Sequence, residues 1–547
     1  MMRDTLDMVV LGGGITGAGI ARDAALRGLR VALFEKGDFA SGTSSKSSKL
    51  IHGGLRYLEQ GEVGLVFESV SERRVQRRMA PHLVRPLRFL MPIFDGDRVG
   101  LETMNLGLWI YDTLAMFRAP GLHKTHRGKK ARKLEPRIRS EGLRGAIEYS
   151  DCVTDDARLV LENVIAAREA GAACHNHIEV IGIERHRERV AAVTVRDLHT
   201  GIERRVATHC LVIAAGPWTD RVGARLGLGI STPILRPTKG VHLVFPREVL
   251  PLERAVTVIS PVDGRVMFAI PWQHRLVLGT TDTDFDGDPD DVFADAGDVA
   301  YLCESGNKTF PNAELSPDKV ISTWAGLRPL IHEAADTASD VSREHQIYVR
   351  DEGVVLIAGG KLTTYRLMAK QTVKAAIRWL NDNDSDLFED RPLVRPRTKT
   401  RPLPGGTGLE GRGPDSFAKL AAKLADQYAI DVVTTGHLAD VYGARAHAVC
   451  GLIQERRELG EAMQPDLPFV WAEIHYAVVH EMAATVEDVL ARRVPLLLLG
   501  REQGLDVAER TSDIVARLLS WTDDRRRAEL ERYRGVVANT RRFRNAG

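Results

Sequence analysis

The chain has 547 residues, more than a single hydrophobic core organises, so two or three domains are expected. Lys and Arg total 75 against 73 Asp and Glu, a formal charge of +2, which excludes the basic excess of a general nucleic-acid binder. Hydrophobic residues make up 44%, as in a globular protein, and Cys152, Cys174, Cys210, Cys303 and Cys450 are scattered without a CxxC pair, so neither a disulfide framework nor a zinc site is suggested.

The first residues, "MMRDTLDMVVLGGG", run straight into an apolar strand, and no signal peptide is expected. Residues 7–11 (DMVVL) read as a buried parallel strand. Gly12-Gly13-Gly14-Ile15-Thr16-Gly17 follows, and then the helical stretch "AGIARDAALRG". This is G-x-G-x-x-G between a strand and a helix. Gly12 permits the tight turn, Gly14 lets backbone approach a pyrophosphate and Gly17 lets helix pack on strand. The helix N-terminus attracts the phosphates. A second strand, "RVALFEK", ends at Glu35 and Lys36. An acid about 20 residues past the glycines suits ribose hydroxyls and argues against a 2′-phosphate.

Next comes "SSKSSKLIHGGLRYLE", residues 44–59. Hydroxyls, two lysines, a histidine, a glycine pair and an arginine crowd one turn-rich passage, too polar for a buried loop without partners. A regular NAD-binding unit would proceed to another strand and helix. This passage suits a long ligand threaded along the chain.

Residues 71–89 (SERRVQRRMAPHLVRPLRF) and 123–139 (HKTHRGKKARKLEPRIR) are strongly basic. They flank an apolar, aromatic run at 101–117, a combination that fits attachment to an anionic membrane surface. That run carries Glu102, Asn105 and Asp112, so no spanning helix is expected. "HCLVIAAGPWTD" brings a strand to Ala215 and Gly216, with Trp218 beyond. Short alternating runs such as "GVHLVF", "VMFAI" and "RLVLGTT" predict an antiparallel sheet over residues 236–344. The acidic run 282–291 (DTDFDGDPDD) lacks the ligand spacing of a calcium loop; a solvated turn and no metal are expected. "GVVLIAGGKLTTYRLMAKQ" brings a buried strand to Gly359-Gly360 and starts a long helix near Leu362, its positive end near Lys361. A Pro-, Gly- and charge-rich linker at 386–415 precedes helical patterns over 416–547.

"SGTSSKSSKLIHGGLRYLE", "IAAGPWTD", "GTTDTDFDGDP", "WAGLRPL" and "GGKLTTYRLMA", in that order, resemble the FAD-dependent glycerol-3-phosphate dehydrogenases. These belong to the D-amino-acid-oxidase-like flavoproteins. The resemblance is dense over residues 5–380 and weaker beyond, through "TVEDVLARRVPLLLL". It implies an α/β plus α+β fold: a Rossmann-like FAD-binding domain of residues 1–80, 150–235 and 345–385, an antiparallel-sheet substrate domain with a membrane-facing insert at 81–149 and 236–344, and a helical C-terminal domain. It implies FAD as cofactor, held by Gly12, Gly14, Ile15, Thr16, Gly17, Glu35, Lys36, Ser44, Ser45, Lys49, His52, Gly53, Val180, Ala215, Gly216, Trp218, Gly360, Leu362 and Thr363. In some of these flavoproteins a histidine bonds the flavin covalently, and His52 is the residue to consider.

The implied reaction is oxidation of sn-glycerol 3-phosphate at C2 to dihydroxyacetone phosphate, with electrons passed to membrane quinone. A phosphate needs guanidinium forks; Arg56, Arg328 and Arg343 lie in matched segments, with Tyr57, Lys239 and Thr364 beside them. Lys239 and His242, in "TKGVHLVF", are read as spaced across a turn into a strand, and His242, with an ordinary pKa of about 6.5, suits the base that takes the C2 proton. Lys361 completes the set. An oxidase returning electrons to oxygen is the nearest alternative, and a non-catalytic flavin-bound sensor or assembly protein is the alternative of another class. The expected location is cytoplasmic and peripheral on the inner face of the membrane, without nucleic acid, and a homodimer stays open.

Overall fold

The computed structural model describes residues 5–54, 62–114, 121–332, 344–409, 413 and 415–544. The expected strand–turn–helix–strand forms β1 (Met8–Leu11), α1 (Ile15–Leu26) and β2 (Val31–Phe34). β1 pairs in parallel with β2 on one side and with Leu211–Ile213 on the other. Val354–Gly359 continues the parallel sheet, and Ala173–His175 ends it beyond β2. His345–Val349 adds an antiparallel edge.

Period-two alternation decides what each face of this sheet meets. Met8 and Val10 belong to a core shared with α1 and the helices Asp156–Glu169 and Tyr365–Asn383. Val9 and Leu11 belong to a second core, shared with the three-stranded antiparallel sheet of residues 178–207. Both faces are therefore dry, which is why β1 reads as an unbroken apolar run. Met8, Val9 and Val10 are fully buried, and each such side chain contributes about 1.5–3 kcal/mol.

The second large sheet is mostly antiparallel. It runs from Thr283–Asp284 through Leu235–Pro246, Arg275–Gly279, Val266–Trp272, Ala255–Ile259, Arg85–Phe94 and Leu143–Val153 to Leu50–Ile51. Ser322–Ile331 pairs along the length of Leu235–Pro246. Leu50–Ile51 belongs to this sheet although β2 belongs to the first, so the intervening polar segment crosses between them.

Helices fill most of residues 415–544, with one small hairpin, Ala462–Gln464 with Leu467–Val470. Phe417, Ala421 and Leu424 show how the first of these helices, Asp415–Tyr428, docks: they share one stripe and are buried. The stretch expected as a linker is packed where it is described. Arg391 pairs with Asp7, Leu403 is buried, and the Leu403 amide donates to the Met79 carbonyl. A Cβ on Gly405 would press on His82 and the Tyr442 carbonyl, so glycine there permits close docking.

Candidate active site

The two large sheets enclose a cleft of about 1320 Å³. One end is the turn after β1. Gly12 holds φ +106°, and a Cβ there would meet the Ala214 carbonyl. A Cβ on Gly17 would strike the Gly12 carbonyl, so this glycine sets the closeness of helix to turn without itself lining the cleft. Glu35 accepts from the Gly13 amide (2.6 Å) and the Gly37 amide (2.8 Å). Burial raises its pKa while those amides oppose the rise.

In its described part, residues 44–54, the polar passage finds partners for its serines and for Lys49. Ser44 Oγ accepts from the Ile15 amide at the start of α1 (2.9 Å). Ser47 Oγ donates to Asp156 (2.7 Å), and Ser48 Oγ lies 2.8 Å from His242 Nε2. Lys49 is bound to Asp156 (2.6 Å) and the Ser45 carbonyl, between the rings of Trp272 and Trp324. It therefore stands behind the loop, off the cleft, and the expectation that it touches cofactor is corrected. Ser45 and Gly53 are off the cleft too. The Ser45 hydroxyl turns to the Gly42 carbonyl, and Gly53 packs under Tyr111 with its amide on Asp151.

Gly12, Gly14, Ile15, Thr16, Glu35, Lys36, Ser44, His52, Val180, Ala215, Gly216, Trp218, Gly360, Leu362 and Thr363 all line the cleft, as do His242, Arg328 and Lys361. Gly359 and Gly360 hold φ +74° and +88°, turning the chain from its strand into the helical start that presents Lys361 to the cleft. Lys36 reaches Asp290 (2.9 Å), which also accepts from the Trp218 indole (2.9 Å).

At the other end, Arg328 on Ser322–Ile331 donates to Asp282 Oδ1 (2.9 Å), Thr280 Oγ1 (3.1 Å) and the Thr281 carbonyl (2.9 Å). Arg265 pairs with the other oxygen of Asp282 (2.8 Å), so one carboxylate aligns two guanidinium groups, and all three residues line the cleft. Gly240, opposite, leaves the space that the Arg328 guanidinium occupies. His242 lies two residues further along, stacked on Trp324 at 4.9 Å. Its Nδ1 is buried with no hydrogen-bond partner among the described residues. Burial, then the charges of Arg328 and Lys49, hold its pKa well below 6.5.

Lys239 is a second correction. The sequence suggested a turn between it and His242, but Leu235–Pro246 is one continuous strand. Residues three apart in a strand face opposite ways. Lys239 points away from the cleft, to Asp295 (2.8 Å) and Asp298 (2.6 Å). Thr364 is buried against the Lys361 carbonyl and also misses the cleft. Arg56, Tyr57 and Arg343 lie outside the described residues.

The aspartates of the acidic run are solvent-exposed apart from the buried Asp282, and most of these carboxylates are paired. Asp282, Asp284, Asp288, Asp290 and Asp291 pair with Arg328, Arg236, Arg221, Lys36 and Arg542. Sequence reasoning missed Ser48, Arg265, Asp282 and Thr280. Ser48, Thr280 and Asp282 lay inside segments already singled out; Arg265 joins the site only through the fold.

The sequence pattern of the FAD dependent oxidoreductases matches residues 7–375. That of the C-terminal domain of alpha-glycerophosphate oxidase matches residues 396–526. Among relatives, aerobic glycerol-3-phosphate dehydrogenase of Staphylococcus saprophyticus is 35% identical, over 94% of this chain and 91% of its own. That of Bacillus subtilis is 34% identical, over 97% and 94%. Among solved structures, glycerol-3-phosphate dehydrogenase from Bacillus halodurans complexed with FAD superposes with a TM-score of 0.82 at 32% identity, covering 99% of this chain and 96% of that one.

Proposed function

The chain belongs to the FAD-dependent glycerol-3-phosphate dehydrogenase family, and from that premise we propose that it oxidises the C2 alcohol of sn-glycerol 3-phosphate to the ketone and hands the electrons to membrane quinone. The observation that carries the reading is the pair Arg328–Asp282–Arg265 and Ser48–His242, both facing the cleft into which α1 directs its N-terminus. The residues present fit FAD. The cleft runs from the glycine turn and the amide-anchored Glu35 to Lys361 at the start of a helix. Bound FAD supplies the hydride acceptor, N5 of its ring.

The chain's own groups do the rest. Arg328, held on three sides before substrate arrives, and Arg265 bind the phosphate as planar forks. His242 is uncharged near neutral pH and takes the C2 hydroxyl proton through the Ser48 hydroxyl. Lys361 and the helix N-terminus place positive potential at their end of the cleft, which would favour negative charge on a flavin bound there. Anaerobic mixing of the holoprotein with glycerol 3-phosphate tests the whole reading: the flavin absorbance should bleach. Aerobic turnover with a quinone analogue and little peroxide would favour the dehydrogenase; stoichiometric peroxide would favour the oxidase named for the C-terminal match.

The cofactor prediction is that the purified protein is yellow and releases FAD on denaturation. A colourless protein that takes up NAD but not FAD would sink it. Flavin that stays with the denatured chain would point to a bond at His52, which lines the cleft.

The membrane part rests on a surface. Phe67, Leu106, Trp109, Ile110 and Leu122 are exposed, on or beside the helices Val63–Met79 and Leu101–Leu114, which touch each other. Exposed Lys124, Lys129, Lys130 and Lys133 follow. Arg73, counted in the basic stretch, is instead buried against Asp151. No helix among the described residues is long and apolar enough to cross a membrane. We expect co-sedimentation with anionic liposomes that weakens as salt rises, each lysine contributing about 1 kcal/mol, and weaker still for Trp109→Ala. Equal partition into neutral and anionic liposomes would refute the electrostatic part.

A further inference from the structure

We propose that the helical C-terminal domain is part of the cofactor site, with Arg492 and Arg493 as positioning residues that clamp Asp38 and thereby hold the turn of residues 35–41. This rests on the FAD reading above and assigns that domain a role in it.

Asp38 stands three residues beyond Glu35 and is 2% exposed. Its carboxylate accepts from Arg492 Nε (2.6 Å), from both terminal nitrogens of Arg493, and from the Asn176 amide (2.9 Å). Arg493 is wholly buried and also donates to the Glu481 carbonyl (2.7 Å). The same Asn176 amide reaches the Met482 carbonyl (2.9 Å), so it too bridges the two domains. On the cofactor side, the Ala40 amide donates to the Gly13 carbonyl, and Glu35 accepts from the Gly13 and Gly37 amides. His177 closes the circuit: its amide donates to the Gly37 carbonyl (2.7 Å) and its ring meets Asp488 (2.9 Å), which also holds Arg492.

Asp38, His177 and Asp488 lie close enough together to suggest a metal site. The guanidinium groups of Arg492 and Arg493 already occupy these carboxylates, and that argues for a clamp. A buried carboxylate held by two arginines of another domain is costly to disturb, because breaking one partner leaves charge unpaired. Glu35, Lys36, Gly37 and Ser41 of the held turn all line the cleft at the end nearest α1. The clamp therefore bears on the adenosine half of the cofactor.

The test uses full-length apoprotein and measures the dissociation constants of FAD and of ADP, which has the adenosine half without the flavin, well below the apoprotein's unfolding temperature. Arg493→Lys keeps the charge but loses the fork. Asn176→Ala is the gentler variant, since it strands no charge. Both should weaken FAD and ADP by the same factor, about tenfold, the scale on which residues behind a site act. A lowered unfolding temperature with unchanged affinities would make the arginines merely structural and overturn the proposal, as would weaker FAD with unchanged ADP. Should Arg493→Lys fail to fold, Asn176→Ala decides alone. Native protein that binds neither ligand would instead overturn the FAD reading itself.

Discussion

His242→Asn should lower kcat for glycerol 3-phosphate by about 10²–10⁴-fold, the contribution typical of a positioned general base. The geometry explains why the loss should fall on kcat. His242 is 2% exposed, stacked on Trp324, and touches the cleft beside Ser48, whose hydroxyl is within 2.8 Å of Nε2. Asparagine fills much of the same space but cannot accept a proton from Ser48 and keep it. The pH profile supplies an independent check. Burial, with Arg328 and Lys49 adding to it, lowers the histidine pKa well below 6.5. The base is therefore uncharged above that pH, so kcat/KM should stay level from 6.5 upward and fall only on the acid side. Ser48→Ala should reduce kcat in the same direction but less, because water can replace the hydroxyl. Native kcat in His242→Asn at matched flavin content would remove the histidine from the mechanism, and an acid limb centred above 6.5 would assign that limb to another group.

The nucleotide-binding end was legible because its chemistry is local. Gly12, Gly14, Gly17 and Glu35 stand within one strand–turn–helix–strand unit, and spacing alone says what each does. The substrate end was legible only in part, for two physical reasons. Strand alternation was hidden while Lys239 and His242 were thought to flank a turn; once they share a strand, only one of them faces the cleft. Long-range ion pairing hid the rest. Lys49 resembles a ligand-facing lysine in sequence, yet Asp156, 107 positions away, takes its ammonium. Arg265 and Asp282 look like ordinary surface charges until sheet pairing brings them to Arg328. The partners of the exposed acidic run were equally out of reach, because its arginines come from distant parts of the chain. The C-terminal clamp on Asp38 could not be read at all: its partners are more than 450 residues apart.

Arg328→Ala should lower kcat/KM for glycerol 3-phosphate by about 10- to 150-fold, since a guanidinium–phosphate bond contributes about 1.5–3 kcal/mol and each 1.4 kcal/mol is tenfold. The structure adds two reasons to expect the effect to be specific. Asp282, Thr280 and Thr281 hold the Arg328 guanidinium in place, so substrate binding need not order a flexible side chain. When Arg328 is removed, Arg265 still pairs with Asp282, so the variant does not strand a buried carboxylate and should fold. Arg328→Lys keeps the charge without the fork and should recover only part of the loss. Arg265→Ala should weaken substrate capture in the same way. Glycerol lacks the phosphate. It should be a poor substrate for the native enzyme, and Arg328→Ala should barely change its turnover. The measurement is kcat/KM for both compounds in both proteins at equal flavin content. A fall by the same factor for glycerol and glycerol 3-phosphate would mean that Arg328 serves the cofactor or the fold, and the phosphate would have to be placed elsewhere in the cleft.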